Sequence, residues 1–221
     1  METGVAPASA VVLAGGRSLR FGRNKLAEPM PDGRTILAHA VDAVSMVCVD
    51  IVVVTAPGAA RPAGLAPGAR VVVDPEPFGG PLVGLVAGLA STSSEIVVVA
   101  GGDMPELVPA VLALLADTLE RSPAAAVLLA GAGDRPSLPF AARRDPALAA
   151  ARSALADGDR RLRGLFERLG LVEVPEAAWR ALDPGARTLR DIDRPEDLLA
   201  EASGRTTMSG GGPASAGPGS A

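Results

Sequence analysis

Two kinds of apolar pattern alternate along the chain. Short β-branched runs, continuously apolar, appear in SAVVLAG, DIVVVTA, RVVVD and EIVVVAGGD. Between them lie Ala- and Leu-rich stretches with apolar residues at helical spacing: TILAHAVDAVSMV, LVGLVAGLAST and ELVPAVLALLADTLE. A strand that is apolar on both faces belongs inside a parallel sheet covered on both sides, and regular strand–helix alternation marks βα units. The pattern therefore predicts an α/β fold of three layers, a mostly parallel central sheet with helices on both faces. Further on the pattern loosens. AAAVLLA reads as a strand, ALAAARSALADG and RRLRGLFERLG as helices, and LVEVPEAAW as a return to the sheet or its edge. We expect one domain over residues 1–202, with residues 125–190 forming a substrate-side subdomain on the same core. From Ser203 the sequence GRTTMSGGGPASAGPGSA can bury almost nothing, and residues 203–221 are expected to be a disordered tail.

Composition narrows the function classes. With 221 residues and 48% apolar positions the chain has ample material for a core. Its net charge of −4 gives no general basic field, and one Trp, four Phe and no Tyr build no base-stacking platform, so nucleic acid is not an expected partner. No apolar run approaches the roughly 20 residues of a membrane span, and METGVAPASA lacks the regions of a secretory signal, so we expect a cytoplasmic protein without membrane contact. One cysteine, Cys48, allows no internal disulfide, and with one histidine it makes no Cys/His zinc site. Chemistry must come from carboxylates, Lys, Arg, backbone amides or a bound cation.

In open α/β sheets ligands sit beyond the carboxyl ends of the strands, and four such ends are chemically unusual. The first is VVLAGGRSLRFGRNK, where Gly15 and Gly16 let a ligand approach backbone N–H groups and Arg17, Arg20, Arg23 and Lys25 bring cations. It has phosphate-loop character but fits neither G-x-x-x-x-G-K-[ST] nor G-x-G-x-x-G. The second places Asp74 after RVVV, followed by Gly79, Gly80 and Pro81 at a helix start, which is also ordinary capping chemistry. The third places Asp103 after Gly101 and Gly102, either as the N-cap of a helix beginning near Pro105 or as a ligand for a hard cation such as Mg²⁺; the two roles can coexist. The fourth, TLRDIDRPEDLLAEA, offers Asp191 and Asp193 before a helix starting at Pro195, with capping and metal binding both open for Asp193. Together these ends describe a triphosphate and its metal in one crevice.

LAGGRSLRFGRNK resembles the signature of the MobA-like nucleotidyltransferases, L-A-G-G-x-S-x-R-[MF]-G-x-[DN]-K. DPEPFGGPLVGLVAGL, AGGDMPEL and DIDRPEDL follow in order and look like that family's remaining motifs, so the likeness covers most of residues 10–200. It implies a Rossmann-like nucleotidyltransferase fold, and within the family the likeness is greatest to the molybdenum cofactor guanylyltransferases. The implied reaction transfers GMP from GTP to the terminal phosphate of molybdenum-bound molybdopterin and releases pyrophosphate, with Mg²⁺ as cofactor. The implied partners are these small molecules, together with molybdoenzymes or cofactor-insertion proteins. The resemblance assigns Leu13, Ala14 and Gly15 to guanine and ribose, with Gly16 making space, and Lys25 with Arg20 to the triphosphate. Thr55 stands where the family more often has Asn at a nucleotide contact. Asp74 would touch the nucleotide, and Gly80, Pro81 and Leu82 would shape the purine or ribose wall. Asp103 would bind Mg²⁺. The family's last motif usually reads N-x-N-x-P-E-D; here Asp191 and Asp193 put carboxylates where it has amides, which favours metal binding over pterin contact.

Other residues have simpler readings. Arg160, Arg161 and Arg163 in DGDRRLRGLFERL read as a solvated helix face before a phosphate site, and Arg135, Pro136 and Ser137 sit where the family faces its second substrate. His39 reads as a packed or surface helix residue, Cys48 as a small buried hydrophobe, and Trp179 as packing at the subdomain edge. Alternatives at the level of function are a relative using CTP or another acceptor (molybdopterin cytidylyltransferase, phospholactate guanylyltransferase, sugar-phosphate nucleotidyltransferase) and a non-catalytic nucleotide-binding accessory protein. Lys25, Asp74 and Asp103 together argue against the latter. The absence of G-x-G-x-x-G argues against a dinucleotide-dependent dehydrogenase.

Overall fold

A computed structural model describes residues 7–15, 24–77, 79–131 and 138–197. The expected tail at 203–221 and the candidates Gly16, Arg17, Arg20, Arg23, Arg135, Pro136 and Ser137 lie outside the described residues. Among the described residues seven strands form one sheet: β1 (Ser9–Ala14), β2 (Asp50–Thr55), β3 (Arg70–Val73), β4 (Ile96–Gly101), β5 (Ala126–Leu129), β6 (Phe140–Arg143) and β7 (Leu171–Val174). Their order is β3-β2-β1-β4-β6-β5-β7. The neighbours β3-β2-β1-β4 are parallel, β6 runs antiparallel to both β4 and β5, and β7 is parallel to β5.

The alternation of side chains along each strand builds the three layers. Ala10 and Val12 of β1, Ile51 and Val53 of β2, and Val98 and Ala100 of β4 face one core, with α1 (Ile36–Ser45), α3 (Pro109–Glu120) and Trp179 of α6 (Glu176–Leu182). Val11, Val52, Val54, Val97 and Val99 face the other, with α2 (Pro81–Ser91), α4 (Arg144–Ala156) and α5 (Leu162–Phe166). A period of two with apolar residues on both faces is what a doubly covered sheet demands. Strand order reverses at β1: β2 and β3 go to one side of it and β4 to the other, leaving a crevice at the carboxyl ends of β1 and β4.

Four sequence expectations need correction. The third helix begins at Pro109, not near Pro105, because residues 102–106 are spent in turns and proline takes the first helical position. Asp103 therefore does not cap it; the cap residue is Val108, which makes no side-chain hydrogen bond. LVEV does return to the sheet as its edge strand β7, but the segment after it does not continue along the sheet. Pro175 ends β7 and EAAWRAL forms α6, with Arg180 Nε donating to Glu176 Oε1 at 2.9 Å one turn away. RRLRGLFERLG contains only the short helix Leu162–Phe166. Strand β6 carries the sequence FAAR, whose two alanines give a weak β signal, and its place between β4 and β5 comes from tertiary pairing.

Residues with bland sequence readings keep them. Trp179 is fully buried, its Nε1–H donates to the Ala130 carbonyl at 2.8 Å, and the Arg180 guanidinium lies over its ring. His39 Nε2 lies 3.0 Å from Asp32 Oδ1 on the surface. Cys48 is buried, and burial pushes its thiol up to about 12, so it stays a neutral apolar side chain. Among the described residues no helix is long and apolar enough to cross a membrane.

Phe140 joins β6 to α5 through an edge-to-face contact with Phe166, centroids 5.0 Å apart, and has no exposed surface. Phe140→Ala is expected to cost about 3–5 kcal/mol of unfolding free energy in a urea titration. A loss under about 1 kcal/mol would show that β6 is not part of the cooperative core.

Candidate active site

A cavity of about 600 Å³ opens at the carboxyl ends of the first four strands. That volume suits a nucleotide-sized ligand. Leu13 and Gly15 line it from the end of β1, Val54 from β2, Asp74 from just past β3, and Gly101 and Asp103 from the end of β4; Gly80, Pro81 and Gly84 come from the start of α2, and Leu138 closes one wall. Asp74 is largely buried, and its Oδ1 accepts the Glu76 N–H at 3.0 Å, an Asx turn that fixes the carboxylate as the chain leaves the strand. Gly80 caps α2 with φ +93°, and a Cβ there would stand 2.8 Å from the Arg160 carbonyl oxygen. Only glycine lets the 157–161 segment pack against this rim.

Asp103 is turned by its neighbours. Gly102 N–H donates to the Leu13 carbonyl at 2.9 Å, locking the end of β4 to the end of β1. A Cβ on Gly101 would come within 2.5 Å of Asp103 Oδ1, so glycine is required for the carboxylate to fold back over the strand tip. Lys25 approaches from the other side. The Asn24 side chain accepts the Leu26 N–H at 3.2 Å and starts a 3₁₀ turn, Lys25–Ala27, that directs Lys25 inward until it is 8% exposed.

The Lys25 ammonium donates to Asp103 Oδ2 at 2.9 Å, to the Ile192 carbonyl at 2.7 Å and to Asp193 Oδ1 at 3.0 Å. Burial pulls its pKa down, but hydrogen bonds and charges from Asp103 and Asp193 outweigh that, and the ammonium is held above the ordinary lysine value. The 188–193 segment is pinned against the end of β4 by three contacts. Val108 N–H donates to Thr188 Oγ1 at 3.1 Å, Arg190 pairs with Glu106 at 3.1 Å, and Ile192 N–H donates to the Asp103 carbonyl at 2.9 Å. Thr188 N–H in turn donates to the buried Asp183 at 2.7 Å. Asp197 caps the following turn, accepting the N–H groups of Asp193 and Arg194 at 2.9 and 2.8 Å.

Asp103, Asp191 and Asp193 each offer a carboxylate oxygen, all within 4.8 Å of one another. Crowding away from water, then repulsion from Asp193 and Asp103, raises the Asp191 carboxyl above its usual value, although the residue keeps an exposed face. Three hard oxygen donors at one point form a set that fits Mg²⁺.

The candidates from sequence are thus distributed unevenly. Leu13, Gly15, Asp74, Gly80, Pro81 and Asp103 share the cavity, and Lys25 and Asp193 meet Asp103 beside it. Ala14 and Thr55 line a smaller hollow of about 190 Å³ with Asn24 and Leu26. Leu82 is fully buried in the α2 core, and its N–H donates to the Arg160 carbonyl; its side chain does not line the cavity. Arg160, Arg161 and Arg163 pair with Glu76, Asp159 and Glu167, a set of ion pairs rather than an open phosphate site. Val54, Gly84, Gly101, Leu138 and the Ile192 carbonyl were not singled out as site groups in the sequence. Gly84 carries a usable signal, a glycine inside a helix with no turn to explain it, and Gly101 carries one as half of the Gly-Gly pair before Asp103; Val54, Leu138 and the Ile192 carbonyl carry none.

Residues 10–174 match the family defined by the MobA-like NTP transferase domain. The chain is 34% identical over 195 residues to the "Probable molybdenum cofactor guanylyltransferase" of Chloroflexus aggregans, covering 86% of this chain and 91% of that protein. It is 31% identical over 189 residues to the molybdenum cofactor guanylyltransferase of Desulfosudis oleivorans, with 85% and 91% covered. The crystal structure of molybdopterin-guanine dinucleotide biosynthesis protein A from Archaeoglobus fulgidus superposes with a TM-score of 0.73 at 24% identity, over 90% of this chain and all of that one, and shares the fold.

The strained carboxyl group yields a pH prediction. Asp191 binds its proton more tightly in the folded state, so its contribution to stability falls as pH rises from the ordinary carboxylate range through its raised folded value, and stays lost above that. Asp191→Asn is expected to raise the melting temperature at pH 7, with the gain shrinking to nothing as pH drops below the carboxylate range. A gain that persists at pH 3, or a loss at pH 7, would place the cause elsewhere.

Proposed function

The chain belongs to the MobA-like NTP transferase family, which makes it a nucleotidyltransferase, and from that premise we propose that it transfers GMP from GTP to the terminal phosphate of a molybdopterin-type acceptor. The observation that carries this reading is the meeting of Lys25, Asp103 and Asp193 at the edge of a nucleotide-sized cavity. The names of the two relatives supply the guanine and the acceptor.

In the proposed reaction an oxygen of the acceptor's phosphate attacks the α-phosphorus of GTP, a new P–O bond forms, and the bond to the β-phosphate breaks with its electron pair leaving on pyrophosphate. A phosphate monoester is already ionised near neutral pH and needs no strong general base. The problem is repulsion between anions, and positioning and charge stabilisation solve it. Lys25 supplies a positive charge for the triphosphate, and before nucleotide binds its carboxylate partners hold it protonated. Asp103 and Asp193, with Asp191, would hold Mg²⁺. Bound there, the ion would neutralise phosphate oxygens in the transition state. Leu13 and Gly15 offer backbone groups at the end of β1, and Asp74, buried at the cavity wall, is placed to accept hydrogen bonds from the nucleoside. Leu138 brings the second portion of the chain to the cavity, and we read residues 125–190 as the acceptor's side.

The test is GMP transfer with purified molybdopterin acceptor, GTP and Mg²⁺, read as pyrophosphate release and as the dinucleotide product. GTP is expected to serve and CTP to fail; preference for CTP would make the chain a cytidylyltransferase, and no transfer with any nucleotide would refute the reading. Asp103→Asn is expected to lower kcat by about two to three orders of magnitude, in line with loss of one charge-stabilising group. Lys25→Ala should weaken GTP binding far more than guanosine binding, measured by calorimetry. Equal loss for both would make Lys25 structural.

A further inference from the structure

Lys25 is the only lysine in the chain; the other 20 of its 21 Lys and Arg cations are arginines. Its ammonium sits on two of the three carboxylates that would hold the metal, 2.9 Å from Asp103 and 3.0 Å from Asp193. A lysine ammonium is a compact point charge on a flexible stem, whereas a guanidinium is a broad planar fork. It can therefore occupy the position of a small cation between carboxylates and then swing away. The Ile192 carbonyl, accepting from the same ammonium at 2.7 Å, completes a cradle of three oxygen acceptors from segments far apart in sequence.

We propose that Lys25 is a built-in counterion that competes with the divalent metal for Asp103 and Asp193, so that the metal binds well only once a nucleotide's phosphates draw the ammonium away. The proposal rests on the nucleotidyl-transfer reading of the same site. Without nucleotide, the ion pairs must be broken before a metal can use both carboxylates. With nucleotide, Lys25 exchanges carboxylate oxygens for phosphate oxygens and the freed carboxylates take the metal. Binding of metal and nucleotide is then coupled, and by linkage each tightens the other by the same factor. The device also prevents the cluster from standing as bare, mutually repelling carboxylates while the site is empty.

The experiment measures Mn²⁺ binding to the full chain by electron paramagnetic resonance of the free ion, with no nucleotide present. Wild type should bind weakly, and Lys25→Met should bind Mn²⁺ tighter by on the order of tenfold or more, the size expected for removing competing charge-assisted hydrogen bonds. Adding Asp103→Asn to Lys25→Met should remove the gain. Arg190→Met deletes a nearby cation that pairs with Glu106 rather than with the cluster, and should tighten Mn²⁺ less than about threefold, as expected of a screened surface charge. Equal tightening by Arg190→Met and Lys25→Met would reduce the effect to general electrostatics and overturn the proposal, as would unchanged Mn²⁺ affinity in a folded Lys25→Met protein. Should that variant fail to fold, wild type decides: a non-hydrolysable GTP analogue must tighten Mn²⁺ binding by on the order of tenfold, and Mn²⁺ must tighten the analogue equally. Independent binding of the two ligands overturns it. If Lys25→Met gains Mn²⁺ affinity while wild type binds no nucleotide, the counterion stands and the nucleotidyl-transfer reading fails.

Discussion

One ammonium group links three parts of the chain that lie far apart in sequence. Lys25 comes from just after the first loop, Asp103 from the tip of β4, and Ile192 and Asp193 from near the end of the described chain. At 8% exposure an unpaired lysine would be costly, and three unpaired carboxylates within 4.8 Å would repel one another. Each problem is the other's remedy. The segment that carries Asp191 and Asp193 is itself tied to the end of β4 by backbone and side-chain bonds, so the site holds its form through the core.

The sheet explains why those residues meet at this place. Reversal of strand order at β1 opens a crevice that a parallel sheet cannot fill with its own side chains. Gly101 and Gly80 then let backbone and carboxylate come closer than any side chain would allow. The cavity walls carry apolar groups from Leu13, Val54, Pro81 and Leu138, with the carboxylates of Asp74 and Asp103 at the ends of β3 and β4. Apolar walls with a few placed polar groups suit a small-molecule ligand of nucleotide size.

Much of this was legible in the sequence, for identifiable reasons. The three-layer sheet followed from β-branched runs that are apolar on both faces, and the site candidates followed from strand ends and from the MobA-like motifs. Strand β6 was not legible, because FAAR owes its conformation to pairing with β4 and β5. The capping alternative for Asp103 fails for a related reason: Pro105 looks like a helix start, whereas the turns at 102–106 delay the helix to Pro109. Ala14 and Thr55 fall in a separate hollow from Leu13, Gly15 and Val54 because neighbouring residues on a strand point to opposite faces of the sheet, a period the motif likeness alone does not take into account. The Ile192 carbonyl is a backbone group and leaves no trace in residue identity.

The most direct measurement is a crystal structure of the protein with a non-hydrolysable GTP analogue and Mn²⁺, the metal located by its anomalous scattering. The account predicts the nucleotide in the cavity between Gly15 and Asp103, manganese on Asp103 and Asp193, and the Lys25 ammonium moved from these carboxylates to the phosphates. Manganese elsewhere, a nucleotide seated in the hollow beside Thr55, or a Lys25 still bound to both carboxylates beside the metal would contradict it.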